Sequence, residues 1–193
     1  MERILLITGF DPFGGATVNP SWEAVRQLPE QVGEWKLCKL QIPTVFSLAA
    51  ETVLKKAAEV GAAAILCVGQ AGGRSAVTPE RIGVNIRTAR IPDNQGNLPQ
   101  EQPVVPGGAD GIFATVNVAA MAQGIRDAGL PGGVSNTAGT FVCNDVLYTL
   151  LHHYRGTGVK VGFIHVPYLP EQGEPNLPLD DTVKALTAAI LNI

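Results

Sequence analysis

Long apolar runs are missing from this sequence. None approaches the roughly 20 residues a helix needs to cross a bilayer, so no membrane partner is expected. The N-terminal run Ile4-Leu5-Leu6-Ile7 is too short for a signal peptide and Thr8-Gly9 end it, which points to a soluble cytoplasmic protein. Runs of positive charge are missing too: no lysine/arginine run exceeds two residues and the formal net charge is −3, so no electrostatic footprint for nucleic acid is present. Cysteine is scarce and odd in number. Cys38, Cys67 and Cys143 form no CxxC pair and no disulfide framework, and are expected as reduced thiols. Histidine occurs three times without an HxxxH spacing, which argues against a metal site. Neither GxGxxG nor a GK[ST] phosphate loop occurs, and no cofactor is expected. Charged residues make up only 16% against 46% hydrophobic, which excludes a disordered chain.

What is present is alternation. Ile4–Ile7, Lys36–Ile42, Ala62–Val68 and Val159–His165 read as strands, and the first and third are nearly continuous in apolar residues, as strands covered on both faces are. Helical stripes lie between them. Asn19-Pro20 supplies a cap and a first-turn proline for a helix through Trp22, Val25 and Leu28. Phe46, Ala49, Ala50, Val53, Leu54 and Ala57 recur at helical spacing, as do Val142, Val146 and Leu150, and then Val183, Leu186 and Ile190. The expected fold is an α/β/α sandwich of three layers around a mostly parallel, twisted sheet, with residues 1–193 forming one domain. Thr88–Gly108, with four prolines and three glycines, reads as a long ordered loop or arm.

Three side chains carry potential chemistry. Cys143 follows Ala138-Gly139-Thr140 and opens a helical stripe. With Thr140 as N-cap it lies in the first turn, where unpaired N–H groups and the helix dipole favour a thiolate and could hold an oxyanion. His165 ends a strand, and carboxyl ends of parallel strands line sites in open α/β sheets. Glu80, in Thr78-Pro79-Glu80-Arg81, would on its own be taken for a solvated loop residue; it gains interest because a Cys–His pair benefits from a carboxylate that fixes the imidazole tautomer. Cys38 and Cys67 fall within strand patterns and read as space-filling, and His152 and His153 suit a helix C-terminus. Gly9-Phe10-Asp11-Pro12-Phe13-Gly14-Gly15 follows the first strand; its phenylalanines serve either as apolar walls for a small uncharged ligand or as inward packing of a turn.

Gly9–Gly15, Asn19–Trp22, Gly69–Arg74, Pro79–Arg81, Ala89–Asp93, Ala138–Asn144 and His165–Pro170 together resemble the pyroglutamyl peptidase I (pyrrolidone-carboxylate peptidase) family of cysteine peptidases, in order and over nearly the entire chain. The resemblance implies a catalytic triad at Glu80, Cys143 and His165, and an aromatic ring pocket at Phe10, Phe13 and Phe141 with Asn19, Gln70 and Val142 at neighbouring recognition positions. It places Arg90 near the active centre as electrostatic support, needs no metal or cofactor, and suggests a homo-oligomer, tetramer or dimer. The substrates implied are peptides with an N-terminal 5-oxoproline. Asp145 departs from the family pattern, where histidine is often expected, and is a candidate to perturb charge around the thiol. Two rivals remain: a phosphorylase-like transferase on a related sandwich, and a thiol redox or small-molecule-binding protein.

Overall fold

In the computed structural model, which describes residues 3–193, the first apolar run becomes strand β1 (Arg3–Phe10) at the heart of the sheet. It is followed by α1 (Pro20–Gln27), β2 (Gln31–Val32), β3 (Trp35–Ile42), α2 (Leu48–Val60) and β4 (Ala64–Gln70). Short strands β5 (Thr78–Pro79), β6 (Ile82–Val84) and β7 (Gly111–Phe113) precede α3 (Val118–Asp127), α4 (Val142–His153), β8 (Lys160–Val166) and α5 (Leu179–Ile190). The main sheet runs β2-β3-β1-β4-β8-β5; β3, β1, β4 and β8 are parallel, and antiparallel β2 and β5 close the two edges. The four expected strands are thus the four parallel ones, each shifted or extended by up to three residues.

Strand alternation sorts the core into two halves. Leu5, Ile7, Leu66, Val68, Ile164 and Val166 face α1, α3 and α5, whereas Leu6, Ile65, Cys67, Val161 and Phe163 face α2 and α4. The three layers expected from the sequence follow directly. At Gly9 the sheet and α1 come into backbone contact: a Cβ there would lie 2.6 Å from the Trp22 backbone. That approach lets Ser21 Oγ accept from Phe10 N–H at 3.0 Å, while Asn19 Oδ1 accepts from Ser21 N–H and Oγ–H. The Asn19 cap therefore fixes the loop after β1 as well as the helix.

Helix α3 has no counterpart in the sequence reading. Asn117 caps it and Met121, Ala122 and Ile125 are buried, but Gly124 interrupts a stripe already diluted by alanine. The glycine is there for packing: a Cβ on it would lie 3.1 Å from Ala188 O of α5. Residues 88–108 do form the expected arm, without regular elements apart from the bridge between Arg87 and Gln102. Asp93, nearly buried, anchors it by accepting from the backbone N–H groups of Phe46, Gln95 and Asn97 and from Asn97 Nδ2–H. Burial alone would raise the Asp93 pKa, but these donors outweigh it and hold the carboxyl below its ordinary range. Asn94 completes the tie by donating to Pro12 O and Asp11 Oδ1. The arm thus buttresses the loop that carries Phe10 and Phe13.

Candidate active site

The carboxyl ends of β1, β4 and β8 meet the start of α4 around a cavity of about 320 Å³. Phe10, Phe13, Asn19, Gln70, Phe141, Cys143 and His165 all line it, so seven of the ten residues singled out from the sequence converge on one space. Thr44, Gly72, Arg74 and Thr137 complete much of the wall. Phe141 links the aromatic members: its ring centroid lies 6.1 Å from that of Phe13 and 5.3 Å, edge-on, from that of Phe46. The inward-packing and ligand-wall readings of the phenylalanines are both met, because Phe10 is 2% exposed and still lines the cavity.

Helix α4 positions the thiol, though not through the expected cap. The N-cap is Phe141, with extended backbone and no side-chain hydrogen bond to the helix start. Thr140 is occupied elsewhere: its hydroxyl donates to Thr88 O at 2.8 Å and its carbonyl accepts from Thr88 N–H, stitching the arm to this loop. Cys143 still falls in the first turn, and the first-turn N–H groups remain uncapped by any side chain.

His165 follows Ile164 near the end of β8 and pairs in register with Gly69 of β4, the residue on which a Cβ would lie 2.8 Å from Cys143 Sγ. Its ring stands 4.8 Å from Phe163, and its Nδ1 lies 2.7 Å from Glu80 Oε1. Glu80 is not a solvated loop residue. Antiparallel β5 pairs with β8 and turns the carboxylate inward until it is 0% exposed. Arg74, the end of the Gly69–Arg74 motif but given no role from the sequence, completes the array: Nη1 donates to Glu80 Oε1 at 2.6 Å and to Thr78 Oγ1 at 2.7 Å, while Nη2 donates to Thr137 O at 3.0 Å. A Gly-Gly-Arg turn after a buried strand was the available signal.

Three of the residues singled out from the sequence lie off this cavity's wall. Arg90, on the exposed arm, lines the adjoining cavity with Thr88, Ile91 and Thr140, and that cavity shares Ala138, Gly139 and Phe141 with this one. Arg74 is the cation that lines the cavity with the thiol. The Val142 side chain is fully buried in the α2/α4 core, which leaves only its backbone for recognition. Asp145 does not act on the thiol either: it pairs with Arg87 Nε and accepts from Ser47 N–H at 2.8 Å, joining α4 to the start of α2.

Burial governs the electrostatics. It pushes the Cys143 thiol up to about 12, with the Glu80 charge adding to the rise and Arg74 and the cysteine's own N–H opposing it. Burial therefore works against a thiolate pre-formed by the helix start. Burial lowers the His165 pKa from 6.5 despite the opposing Glu80 carboxylate. Burial would raise that of Glu80, but His165, Ser135 and Arg74 outweigh it and bring it below 4.5.

Stability consequences have the same sign for both groups. For His165, depressed in the fold, the unfolded chain binds more protons as pH drops below 6.5, so its contribution is present above that value and lost on acidification. The Glu80 contribution is present above 4.5 and lost as pH falls through its lower folded value. Urea unfolding at a series of pH values should show stability falling below pH 6.5 by up to about 1.4 kcal/mol per pH unit, and His165→Gln should flatten that upper limb. A wild-type profile flat from pH 7.5 to 5 would contradict it.

Similarity to known proteins agrees with this geometry. The sequence matches the family model described as pyroglutamyl peptidase over residues 3–193. It is 51% identical to a pyrrolidone-carboxylate peptidase of Levilactobacillus brevis over 96% of this chain and 95% of that protein. The crystal structure of pyroglutamyl peptidase I from Bacillus amyloliquefaciens superposes with a TM-score of 0.95 at 42% identity, covering 99% of this chain and 96% of that one. A mutant pyrrolidone carboxyl peptidase from Pyrococcus furiosus superposes with a TM-score of 0.93 at 35% identity, covering 98% and 97% of the two chains. This chain belongs to the pyroglutamyl peptidase family of cysteine-type hydrolases.

Proposed function

We propose that this protein removes an N-terminal pyroglutamate from peptides, with Cys143 as nucleophile, His165 as base and then acid, and Glu80 as the group that orients His165. The observation that carries this reading is a thiol and an imidazole on one phenylalanine-walled cavity, the imidazole held from behind by a buried carboxylate. A lactam has no ammonium charge, so its pocket needs no carboxylate among its walls, and the Phe10, Phe13 and Phe141 rings can enclose its methylenes. Leaving the lactam N–H or C=O unpaired on burial costs about 1–3 kcal/mol each, which discriminates this ring from proline.

Because Nδ1 of His165 is engaged by Glu80, Nε2 is the nitrogen free to take a proton. The Sγ proton passes to Nε2 as sulfur bonds to the acyl carbon that joins pyroglutamate to the next residue. Uncapped N–H groups at the start of α4 face the oxygen that becomes anionic. The C–N bond then breaks, His165 gives its proton to the leaving amine, and a thioester remains on Cys143. Water, deprotonated by His165, opens the thioester and returns the thiol. Arg74 offsets part of the Glu80 charge, which would otherwise oppose charge at sulfur more strongly.

A homo-oligomer, dimer or tetramer, in the cytoplasm is part of the proposal. The exposed Phe113 and Leu191 offer apolar surface for subunit contact, and no helix among the described residues is long and apolar enough to cross a membrane. The rival role as a thiol sensor gains no support from Cys67, which is fully buried with its thiol pushed up to about 12.

A reporter amine should be released at least a hundredfold faster from a pyroglutamyl amide than from a prolyl amide, since the prolyl ring leaves the carbonyl's donor unpaired and brings an ammonium charge against apolar walls, which together cost about that factor or more. Alkylation of Cys143 should stop release, and rapid quench followed by mass spectrometry should find the acyl group on Cys143. Alkylation-insensitive turnover, or turnover that requires phosphate, would overturn the reading.

A further inference from the structure

Gln172 lies outside the cavity that holds Cys143, yet it is hydrogen-bonded to Gln70, which lines that cavity. The residue sits beyond β8, in the loop that begins Tyr168-Leu169-Pro170, and lines an outer cavity shared with Phe13, Gln70 and Gly72. Its side-chain amide is fully committed. Oε1 accepts from Leu169 N–H at 3.0 Å, and Nε2 donates to Val18 O at 3.4 Å and to Gln70 Oε1 at 3.0 Å.

The direction of this chain of bonds is dictated by groups that cannot reverse. A backbone N–H only donates and a backbone carbonyl only accepts, so Leu169 fixes the oxygen of Gln172 and Val18 fixes its nitrogen. The atom of Gln70 that meets Gln172 Nε2 must then be its oxygen, and the Gln70 NH2 group is left for the cavity. Among the described residues that NH2 has no hydrogen-bond partner. Two other neutral polar side chains on the cavity are already engaged: Asn19 Nδ2 and Thr44 Oγ1 both donate to Asp11 O. The acyl oxygen has the start of α4, but a ring carbonyl enclosed by phenylalanines needs a donor of its own.

We infer that Gln172 is a positioning residue: it locks the Gln70 amide with its NH2 toward the cavity, so that Gln70 donates to the ring carbonyl of a bound lactam. The inference rests on the proposed function for the identity of the ligand, and it adds a specificity device that reaches the ring from outside the pocket. A carboxylate at position 172 can still accept from Leu169 N–H but cannot donate to Gln70. In Gln172→Glu the Gln70 amide must turn its NH2 outward and present oxygen to the ring carbonyl.

The experiment is a double-mutant cycle on the full-length protein, with a pyroglutamyl reporter amide as substrate and 2-pyrrolidone, the bare lactam ring, as competitor. Gln172→Glu is expected to raise KM and the inhibition constant of 2-pyrrolidone together, by about tenfold, while kcat stays within about threefold. Gln172→Met, which adds no charge and merely frees the Gln70 amide to rotate, should shift both in the same direction by a smaller factor. In a Gln70→Leu background neither change at position 172 should shift them further, because the group through which Gln172 acts is gone.

A Gln172→Glu variant whose KM and 2-pyrrolidone affinity stay within twofold of wild type overturns the inference. So does an undiminished effect in the Gln70→Leu background, which would assign Gln172 to the fold of its loop. If Gln172→Glu does not fold, the cycle is read with Gln172→Met, and failure of both to fold also assigns the residue to the loop. Absence of pyroglutamyl amide hydrolysis by the wild-type protein would strike the proposed function instead. The 2-pyrrolidone arm, measured by direct binding, still decides the role of Gln172.

Discussion

Replacing the thiol by a hydroxyl, Cys143→Ser, is expected to leave a folded protein that has lost about 10⁴-fold or more of its turnover on a pyroglutamyl amide. The substitution exchanges sulfur for a smaller atom at a half-buried position, which places the stability change within about 1–2 kcal/mol. The chemistry does not survive so gently. The cavity already pushes the more acidic thiol up to about 12 through burial and the nearby Glu80 charge. An alcohol begins several units higher, and the neutral His165 that would have to accept its proton has been made a weaker base by the same burial. Steady-state assay, thermal unfolding and a search for acyl-enzyme by mass spectrometry decide the matter together. Turnover within tenfold of wild type in a folded Cys143→Ser protein would remove Cys143 from the mechanism.

The thiol was legible because its surroundings are local. A glycine turn, an apolar stripe and a cysteine between them lie within a dozen residues, and the backbone realises that arrangement even though Phe141, not Thr140, ends up as the cap. His165 was legible for a similar reason, as the polar residue at the end of an apolar strand. Glu80 was legible only through the family resemblance, because what buries it is the antiparallel pairing of two-residue β5 with β8, a non-local event with no periodicity to betray it. Arg74 was missed on the same grounds: its partners Glu80 and Thr137 are six and 63 residues away. Arg90 is a different case. Its motif points to the active centre, and its side chain lines the cavity adjoining that of Cys143, sharing Phe141 with it. Sheet edges and arms are set by such tertiary ties, whereas the parallel strands and most helices announce themselves by their own stripes.

A second large effect is expected at a residue with no chemistry at all. In Gly69→Ala the new Cβ would lie 2.8 Å from Cys143 Sγ, 2.8 Å from Phe163 Cζ and 3.0 Å from Phe163 Cε1. Gly69 has ordinary strand backbone and pairs with His165, so the methyl cannot be swung aside without breaking the β4–β8 ladder. Phe163 is fully buried and packs against both the His165 ring and Phe10, so it cannot yield without disturbing the imidazole or the ring pocket. The thiol is the freer neighbour and moves first. Displacing a nucleophile by about 1 Å costs on the order of 10²-fold in rate, and overpacking a tight core costs about 1–3 kcal/mol. The control is Gly162→Ala on β8, whose Cβ would meet Val116 Cγ2 at 2.5 Å, with Val116 packed in the opposite half of the core. Both variants should lose stability, but only Gly69→Ala should lose kcat by about a hundredfold. Equal kcat losses in the two would mean that activity follows global stability, and equal retention would mean that sulfur need not sit where β4 and the start of α4 hold it.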